Sequence, residues 1–492
     1  MAALTDNLMP RATLWALAIN AIAVIAFACA PVAEEYPLAV VSILAFLFVQ
    51  AFLPACRIRV TAPVCPANIA QGYHWVQLVL VTVLIGYFGF SEGTLPYLPS
   101  KGAINLAIVV HVVGYLSFCV AYQCFSRVTV GSLPRESTPG TAYVIVPFAV
   151  LGLLGFLLAQ GGVAEFIDYV SSPIQHRLRA EEPTTLQGAA GSFLKHFLGF
   201  AVVLAWSWWL GKARRSKGSI IAVTAGVVIV LLVANFSYNR GTMLGPVVGL
   251  AAAFSVHVRR IPFKGVILAG MLALSLAFVF GWYRSSNLDI TDLSASLVED
   301  TGNRDGVVDS VQIYASAPQL AAYMIESLEG KFYHGKTLLP SLVYPIPVLG
   351  KPYRDMSGPG IFNELIYGDT DSRDQVIPLD GELYINFHLA GVVLGNVLLG
   401  WVLAWLQGKF AAAPNPVESY AWLMMALWTV FPGSLPVISQ MYVYSFWPMY
   451  SYFVVKCFWS RNSAMAGHRD PDRGGVFVKG DSHEHLLGRR HL

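Results

Sequence analysis

The sequence predicts an all-α polytopic membrane protein with about twelve transmembrane helices. Three observations predict this fold class: the composition, a series of long apolar runs, and the distribution of basic residues between those runs. Hydrophobic residues make up 55% of the chain and charged residues 12%, and the mean hydropathy is +0.57. A soluble domain carries about 25% charged residues, so lipid must solvate much of this protein's exterior.

The apolar runs supply the predicted helices. A transmembrane helix needs about 20 apolar residues, because the hydrocarbon core of a bilayer is about 30 Å thick. The first run is interpreted as a span and not as a cleaved signal, because no small-residue cleavage site precedes Pro31 and further spans follow. The runs, two of which are short, are 13–31, 37–54, 73–90, 103–124, 141–160, 192–211, 218–236, 242–257, 262–283, 382–407, 417–433 and 437–458.

Basic residues between the runs predict the orientation, since short cytoplasmic loops are rich in Lys and Arg. With the N-terminus inside, the inner loops hold Arg57, Arg59, Arg127, Arg135, Lys212, Arg214, Arg215, Lys217, Arg259, Arg260, Lys264 and Lys409. Both termini are therefore predicted to be cytoplasmic. Residues 1–460 are predicted to form one transmembrane domain with external loops at 161–191 and 284–381, of which the second is the large periplasmic loop. Residues 461–492 are predicted to be a polar, disordered cytoplasmic tail.

The cysteines and the tail histidines indicate neither a disulfide framework nor a metal site. None of the six cysteines lies in the large loop, so no disulfide framework is implied. His483 and His485 in the tail are too weak a pattern for zinc. The sequence therefore predicts no metal and no cofactor.

Basic residues on the predicted outer side indicate an anionic substrate. Arg240 lies in a tight turn between two spans, where its planar fork is suited to phosphate oxygens. Snorkelling to lipid head groups or helix capping is the alternative role for this side chain. The other outer cations are Arg177, Arg179, Arg284, Lys351 and Arg354. Positive charge on the side that usually lacks it favours binding of a lipid pyrophosphate.

The end of the large loop and one span hold the remaining ionisable candidates. Asp380 and Glu382 stand at a predicted helix start, where they either cap the helix or serve as a general base or an orienting group for a sugar hydroxyl. His334 is a second candidate base, although loop histidines are often plain surface residues. His111 lies in the middle of a span and is interpreted as a packing residue rather than a proton relay. Val311 to Leu328 reads as an amphipathic helix at the interface, interrupted by Pro318.

Three motifs give the chain a family resemblance. They are the turn Asn239–Leu244, the stretch Tyr333-x-Gly335-Lys336-Thr337-x-Leu339 with the following Ile346-Pro347 and Lys351-Pro352, and Gly381-Glu382-Leu383-Tyr384-x-Asn386-Phe387-x-x-x-Gly391. With these motifs the chain resembles the bacterial oligosaccharide repeat-unit polymerases, the Wzy-type O-antigen and exopolysaccharide polymerases. The resemblance covers the span number and most of residues 230–405. One departure is Val348, since the family often has Arg after the Ile-Pro step, and Arg354 or Lys351 would have to substitute.

The resemblance implies a GT-C-like fold and a metal-independent glycosyl transfer at the outer face of the bacterial inner membrane. The donor would be a glycan on undecaprenyl pyrophosphate and the acceptor a lipid-linked repeat unit. Arg240, with Arg177, Arg284 or Arg354, would offset charge on the leaving pyrophosphate. Glu382 would accept the hydroxyl proton, and Asn386, on the same helix face, would bind a sugar hydroxyl together with Tyr384 of the motif. The implied partners are lipid-linked oligosaccharides, membrane lipid, and a chain-length regulator and flippase of the same pathway; no nucleic-acid partner is expected.

Two alternatives share much of this evidence. A glycan ligase or another lipid-linked sugar transferase would have the same topology and outer arginines and differ only in its acceptor. A flippase or transporter for lipid-linked glycan would need charged residues lining a cavity at mid-membrane depth. The spans of this sequence carry few such residues, so the polymerase is the preferred hypothesis.

Overall fold

The computed structural model of the chain describes residues 11–59, 62–90, 95–126, 141–160, 186–212, 216–235, 240–268, 270, 308, 311–313, 315, 317–328, 330–346, 350–368, 378–430 and 435–467. The chain divides into two compact units, Met1–Pro448 and Met449–Leu492. The second unit consists of most of one long helix and the residues after it.

Every regular element among these residues is a helix. The first nine helices are α1 (Arg11–Ala28), α2 (Ala39–Phe52), α3 (Pro66–Phe88), α4 (Lys101–Phe125), α5 (Thr141–Gln160), α6 (Leu186–Leu194), α7 (His196–Gly211), α8 (Lys217–Ala234) and α9 (Arg240–His257). The next seven are α10 (Pro318–Ser327), α11 (Leu338–Val343), α12 (Gly358–Tyr367), α13 (Leu379–Ala411), α14 (Pro416–Val430), α15 (Leu435–Ser439) and α16 (Trp447–Gly467). Serine side chains accept a backbone N–H at three helix starts, as N-caps do: Ser100 for α4, Ser216 for α8 and Ser357 for α12.

Long apolar helices make the chain compatible with a polytopic membrane protein. Among the described residues, five stretches are long and apolar enough to cross a bilayer: Pro66–Phe88, Lys101–Phe125, Gln187–Gly211, Lys217–Ala234 and Leu379–Ala411. Shorter apolar helices occupy Leu17–Ala28, Ala39–Phe52, Tyr143–Ala159 and Met243–His257. Helices thus occupy the predicted apolar runs, except for 262–283, most of which lies outside the described residues. The number of crossings and their orientation remain predictions.

Helix α13 is two helices folded against each other, and this corrects the predicted span 382–407. Its backbone leaves the helical region at Phe387 (φ −142°, ψ 21°) and His388 (φ 57°, ψ −157°). Asn396 Nδ2 donates to Asp380 Oδ1 at 2.7 Å, although a continuous helix would separate these residues by about 24 Å. We call residues 379–386 the short arm and 389–411 the long arm. The long arm alone is about 35 Å long, enough to cross a hydrocarbon core of about 30 Å.

Glycine allows the two arms to approach. A Cβ atom on Gly391 would lie 2.6 Å from the Leu383 carbonyl oxygen and 2.8 Å from Phe387 Cβ. A Cβ on Gly395 would lie 2.5 Å from Leu383 Cδ1. Real Cβ atoms do not approach other atoms this closely, so the fold-back requires glycine at the arm contact.

The described residues of 317–368, which we call the loop segment, pack on the short arm and belong to the predicted external loop 284–381. One buried apolar cluster joins them: Leu95, Leu320, Tyr323, Met324, Leu328, Phe362, Ile366 and Ile385. The predicted amphipathic helix is present on both sides of the predicted interruption. Residues 311–313 are helical, and α10 begins at Pro318, because proline suits the first turn of a helix. The six residues from Gln319 to Met324 are buried, so this helix is part of the protein interior.

The last helix extends beyond the predicted domain boundary at residue 460. α16 ends at Gly467, so the first part of the segment predicted to be a disordered tail is helical. The remainder of that tail, 468–492, lies outside the described residues, and so does most of the predicted external loop 161–191.

Candidate functional site

The short arm places two carboxylates on opposite sides of one helix. Asp380 and Glu382 are two residues apart, which corresponds to a rotation of about 200° around the helix axis. Both lie in the first turn, as predicted, but the residue at the N-cap position is Pro378 and no side chain caps the helix there. The two carboxylates therefore have partners elsewhere in the fold, and each must be considered separately.

Glu382 is fully buried beneath the loop segment, with no exposed surface. Ser341 Oγ donates to Glu382 Oε1 at 2.5 Å, and Thr337 Oγ1 lies 3.4 Å from the same oxygen. Ser341 Oγ in turn accepts the Gly358 N–H at 3.0 Å. A Cβ on Gly358 would lie 2.5 Å from Glu382 Oε1, so glycine is needed for this approach. Burying a carboxylate is costly unless it is hydrogen-bonded, and these contacts fix the loop segment at this point.

Asn386 continues the same polar face one helical turn later, as predicted. Its Nδ2 donates to Thr337 Oγ1 and to the Glu382 carbonyl, each at 2.7 Å, and its Oδ1 accepts the Gly335 N–H at 3.0 Å. The Tyr333 N–H donates to the Ile385 carbonyl at 3.0 Å, just before the helix break, where a carbonyl needs a partner outside the helix. The side-chain amide of Asn386 is thus engaged with the protein on both its oxygen and its nitrogen.

Two exposed histidines lie next to the hydrogen bonds of Glu382 and Asn386 in the sequence and in the fold. His334 and His388 are exposed, and within the described residues they are the non-glycine residues with positive φ, at 49° and 57°. Non-glycine residues in such regions cost about 1–3 kcal/mol each and cluster at active sites and ligand clamps. The His388 ring lies on the Phe332 ring with centroids 3.6 Å apart, and the buried Tyr384 ring is 5.3 Å from His388.

Gly335, which follows His334 in the motif, allows the loop segment to approach the helix break closely. A Cβ on Gly335 would lie 2.8 Å from Phe387 Cζ, and Gly335 itself has a φ of 83°. Only glycine meets both conditions, close approach and a left-handed backbone. The exposed Lys336 follows directly. The loop segment and the helix break therefore form one continuous rim that carries imidazole and ammonium groups.

Asp380 faces the interior of the helical bundle. Its Oδ2 lies 3.1 Å from His111 Nδ1 of α4, and its Oδ1 accepts the Asn396 Nδ2–H of the long arm. A Cβ on Gly114 would lie 2.8 Å from Asp380 Oδ1, so this glycine of α4 makes room for the carboxylate. His111 was predicted to be a packing residue, whereas the structure pairs it with a carboxylate from a distant part of the sequence.

The side chains of most of the predicted outer cations lie outside the part of the chain that the structure describes. Arg240 is the first residue of α9 and Lys351 begins a short 3₁₀ helix, Lys351–Tyr353, but both side chains lie outside the described part, as do Arg177, Arg179 and Arg284 in full. Arg354 is half-buried, and its carbonyl accepts the Ser357 hydroxyl at 2.6 Å. The predicted convergence of arginines on a pyrophosphate therefore stays a prediction.

Sequence reasoning missed several residues of this arrangement. Thr337 lay within a quoted motif, and its hydroxyl could have been matched to a buried polar partner. His111 was recognised as the clearest ionisable group in a span, but nothing in the sequence indicated Asp380 as its partner. Ser341 and His388 carried no signal in the sequence.

Nothing in the described residues gathers three His, Cys, Asp or Glu side chains in an arrangement that could hold a metal ion. Comparison of the chain with protein-family models, with curated proteins and with solved structures gave no match.

Proposed function

We propose that this chain is a glycosyltransferase that polymerises undecaprenyl-pyrophosphate-linked oligosaccharide repeat units at the outer face of the bacterial inner membrane. One observation carries the proposal. Two of the three motifs that give the family resemblance, around Tyr333–Thr337 and Gly381–Asn386, are far apart in the sequence but form one hydrogen-bonded unit through Gly335, Thr337, Glu382 and Asn386. A rigid buried support below an exposed, strained rim is the arrangement that a site for a large substrate needs.

In this proposal His334 is the general base. It is exposed, so an acceptor sugar can reach its imidazole, whereas Glu382 and Asn386 are buried and act by holding the loop segment in place. The acceptor hydroxyl gives its proton to the imidazole as its oxygen attacks the anomeric carbon of the donor. The bond from that carbon to the lipid pyrophosphate breaks, and the pyrophosphate leaves with the bonding electrons. Lys336, together with the outer arginines Arg240 and Arg354, would offset the charge that develops on it.

The experiment uses a strain that lacks this gene and expresses the full-length chain or its variants. The His334→Asn variant removes the base but keeps the left-handed backbone, which asparagine tolerates. Loss of a general base lowers the rate by about 10²–10⁴-fold, so we expect glycan with single repeats on a gel, at a normal protein level on a blot. Arg240→Ala tests the pyrophosphate role in the same way.

Glu326→Gln is the matched control. This carboxylate lies on α10 of the same loop segment and accepts the Ser100 N–H at 2.8 Å, a bond that glutamine also accepts. It should leave the polymer at full length. Full-length polymer from the strain without the gene would refute the proposal, and full-length polymer with His334→Asn would remove His334 from the mechanism. Polymer that persists while transfer to a final acceptor fails would instead indicate the ligase alternative.

A flippase or transporter for lipid-linked glycan is the second candidate, and one observation favours it. Such proteins use ionisable residues within the membrane, and His111 and Asp380 are a pair of this kind. The two functions differ in where the substrate accumulates without the protein. Single repeat units would accumulate on the outer leaflet if a polymerase is missing, and on the inner leaflet if a flippase is missing.

A further inference from the structure

The short helix α11 has its apolar side outward and its polar side inward. Leu339 is 63% exposed and Leu342 is 44% exposed, and a spacing of three residues places them on one face of the helix. On the opposite side Pro340 and Ser341 are buried, and the Ser341 hydroxyl donates to Glu382. A helix on a water-facing loop has the reverse arrangement, so the outward face of α11 suits an apolar environment.

The turn that precedes α11 has cationic groups on its outer side. Three of its residues contact the short arm or the helix break of α13: Phe332, Tyr333 and Gly335. The other three residues of 331–336 are exposed: Lys331, His334 and Lys336. Lys336 and Leu339 are both exposed and are three residues apart, so an ammonium group borders the exposed leucines.

The exposed apolar surface continues into the long arm of α13. At the break, Phe387 is 45% exposed, and Gly335 of the turn packs against its ring. Beyond the break, exposed apolar side chains recur every three or four residues, as on one face of a helix: Leu394, Leu398, Trp401 and Trp405. Because α13 is apolar and long enough to cross a bilayer, this face suits lipid contact, and the surface of α11 adjoins its outer end.

Charge indicates which kind of lipid fits the surface. Residues 330–356 hold four basic residues and one acidic residue: Lys331, Lys336, Lys351 and Arg354 against Asp355. Apolar side chains beside basic ones are typical of segments that lie in the interface of an anionic membrane. Lysine suits this position because its stem stays on the apolar surface while its ammonium group reaches the phosphates.

We propose that α11 and the turn before it form a docking surface for the anionic phospholipids of the leaflet beside the helix break. Leu339 and Leu342 lie among the acyl chains, and Lys331 and Lys336 bind lipid phosphates. This stretch of the predicted external loop therefore lies on the membrane. The inference does not depend on the proposed reaction, although it places Lys336 at the depth at which the pyrophosphate of a lipid-linked substrate would lie.

The test measures the depth of residue 339 in a membrane. The full-length chain is reconstituted in nanodiscs, with its exposed cysteines, Cys29, Cys124 and Cys457, replaced by serine. Leu339→Cys carries a nitrobenzoxadiazole dye, and Glu364→Cys, at an exposed position on α12 of the same loop segment, is the matched control. The nanodiscs contain phosphatidylcholine alone or with phosphatidylglycerol, and a nitroxide on the upper acyl chain quenches a dye that reaches it.

We expect strong quenching at residue 339 and little at residue 364, with more quenching at 339 when phosphatidylglycerol is present. Each lysine near an anionic surface strengthens binding by about fivefold, so Lys331→Gln together with Lys336→Gln should weaken docking by about 25-fold. In this double variant the quenching at 339 should fall to its value in phosphatidylcholine alone. Both lysines are exposed, so the fold should persist. Lys101→Gln, which removes an exposed lysine paired with Glu35 at 3.3 Å, should change nothing.

Three results would count against the docking surface. Equal quenching at residues 339 and 364 would overturn it. A dye at 339 whose emission indicates an apolar environment, but which the nitroxide does not quench, would show that protein covers the leucines, for example a second copy of the chain. Quenching at 339 that ignores phosphatidylglycerol and both lysines would overturn the role of anionic head groups. Glycan transfer plays no part in this readout, so failure here leaves the proposed polymerase untouched, and the reverse also holds.

Discussion

The break in α13 permits a direct measurement of stored backbone strain at His388. Its backbone, at φ 57° and ψ −157°, lies in a region that essentially only glycine adopts without cost. His388→Gly and His388→Ala both remove the ring that stacks on Phe332, so comparison of the two variants cancels that loss. What remains is the difference between a residue with a Cβ and one without it in a left-handed conformation.

The expected magnitude follows from two opposing terms. Glycine relieves strain worth about 1–3 kcal/mol, but it also gives the unfolded chain more freedom, which costs about 0.4–1 kcal/mol. The His388→Gly chain should therefore unfold with a free energy roughly 0.5–2 kcal/mol larger than the His388→Ala chain. Two residues later, at the helical Ala390, glycine should be about 1 kcal/mol less stable than alanine. The glycine variant is thus expected to be more stable than the alanine variant at position 388 and less stable at position 390.

The assay is thermal unfolding of the purified variants in one detergent, with the wild-type chain alongside. The His388→Gly chain should have the higher midpoint of the two variants at 388, and Ala390→Gly should lie below wild type. If the His388→Ala chain is as stable as the His388→Gly chain, His388 is not strained, and the fold-back of the two arms would have to be reconsidered. Both residues are exposed, and the loss of the stacked His388 ring is common to both variants at that position.

Two further predictions concern the same region. Gly391→Ala places a methyl group 2.6 Å from the Leu383 carbonyl oxygen and should destabilise the chain by about 1–3 kcal/mol, whereas Gly408→Ala, with nothing near its Cβ, should be neutral or stabilising in the same unfolding assay. Ser341→Ala removes the hydroxyl that donates to Glu382 Oε1 and should lower the unfolding free energy by about 1–3 kcal/mol; an unchanged midpoint would show that the buried carboxylate does not need this partner.

The sequence was sufficient to predict the helices but not the fold-back of α13. Within the described residues, helices occupy the predicted apolar runs, because a run of about 20 apolar residues has few other stable structures in lipid. The fold-back escaped prediction because hydropathy averages over a window, and residues 379–411 are apolar on both sides of the break. Its causes are a contact between residues 380 and 396 and a glycine at 391, and neither leaves a periodic signal.

The sequence predicted which residues form the candidate site better than it predicted the role of each residue. Glu382, Asp380, Asn386 and Tyr384 were named from the sequence, and the structure places them together on the short arm. Their roles depend on which way each side chain points, and a difference of two positions on a helix sends Asp380 and Glu382 to opposite sides. The residue pattern gave these two carboxylates the same alternative roles, and the resemblance gave Glu382 the proton-accepting one. In the structure Glu382 supports the loop segment and Asp380 pairs with a histidine in the bundle.

The opposed contacts of these two carboxylates have a thermodynamic consequence. The short arm is a single rigid helix, so a movement of the loop segment that shifts Glu382 must also shift Asp380 relative to His111. A ligand that binds the rim at His334 with a preference for one position of the loop segment therefore changes the stability of the contact between Asp380 and His111, and a change in that contact alters the affinity for the ligand by the same free energy. The strength of this coupling depends on how far the two contacts differ between positions of the arm. Gly114→Ala, which crowds Asp380 from α4 at 2.8 Å without touching the loop segment, should weaken ligand binding at the rim only if this coupling operates.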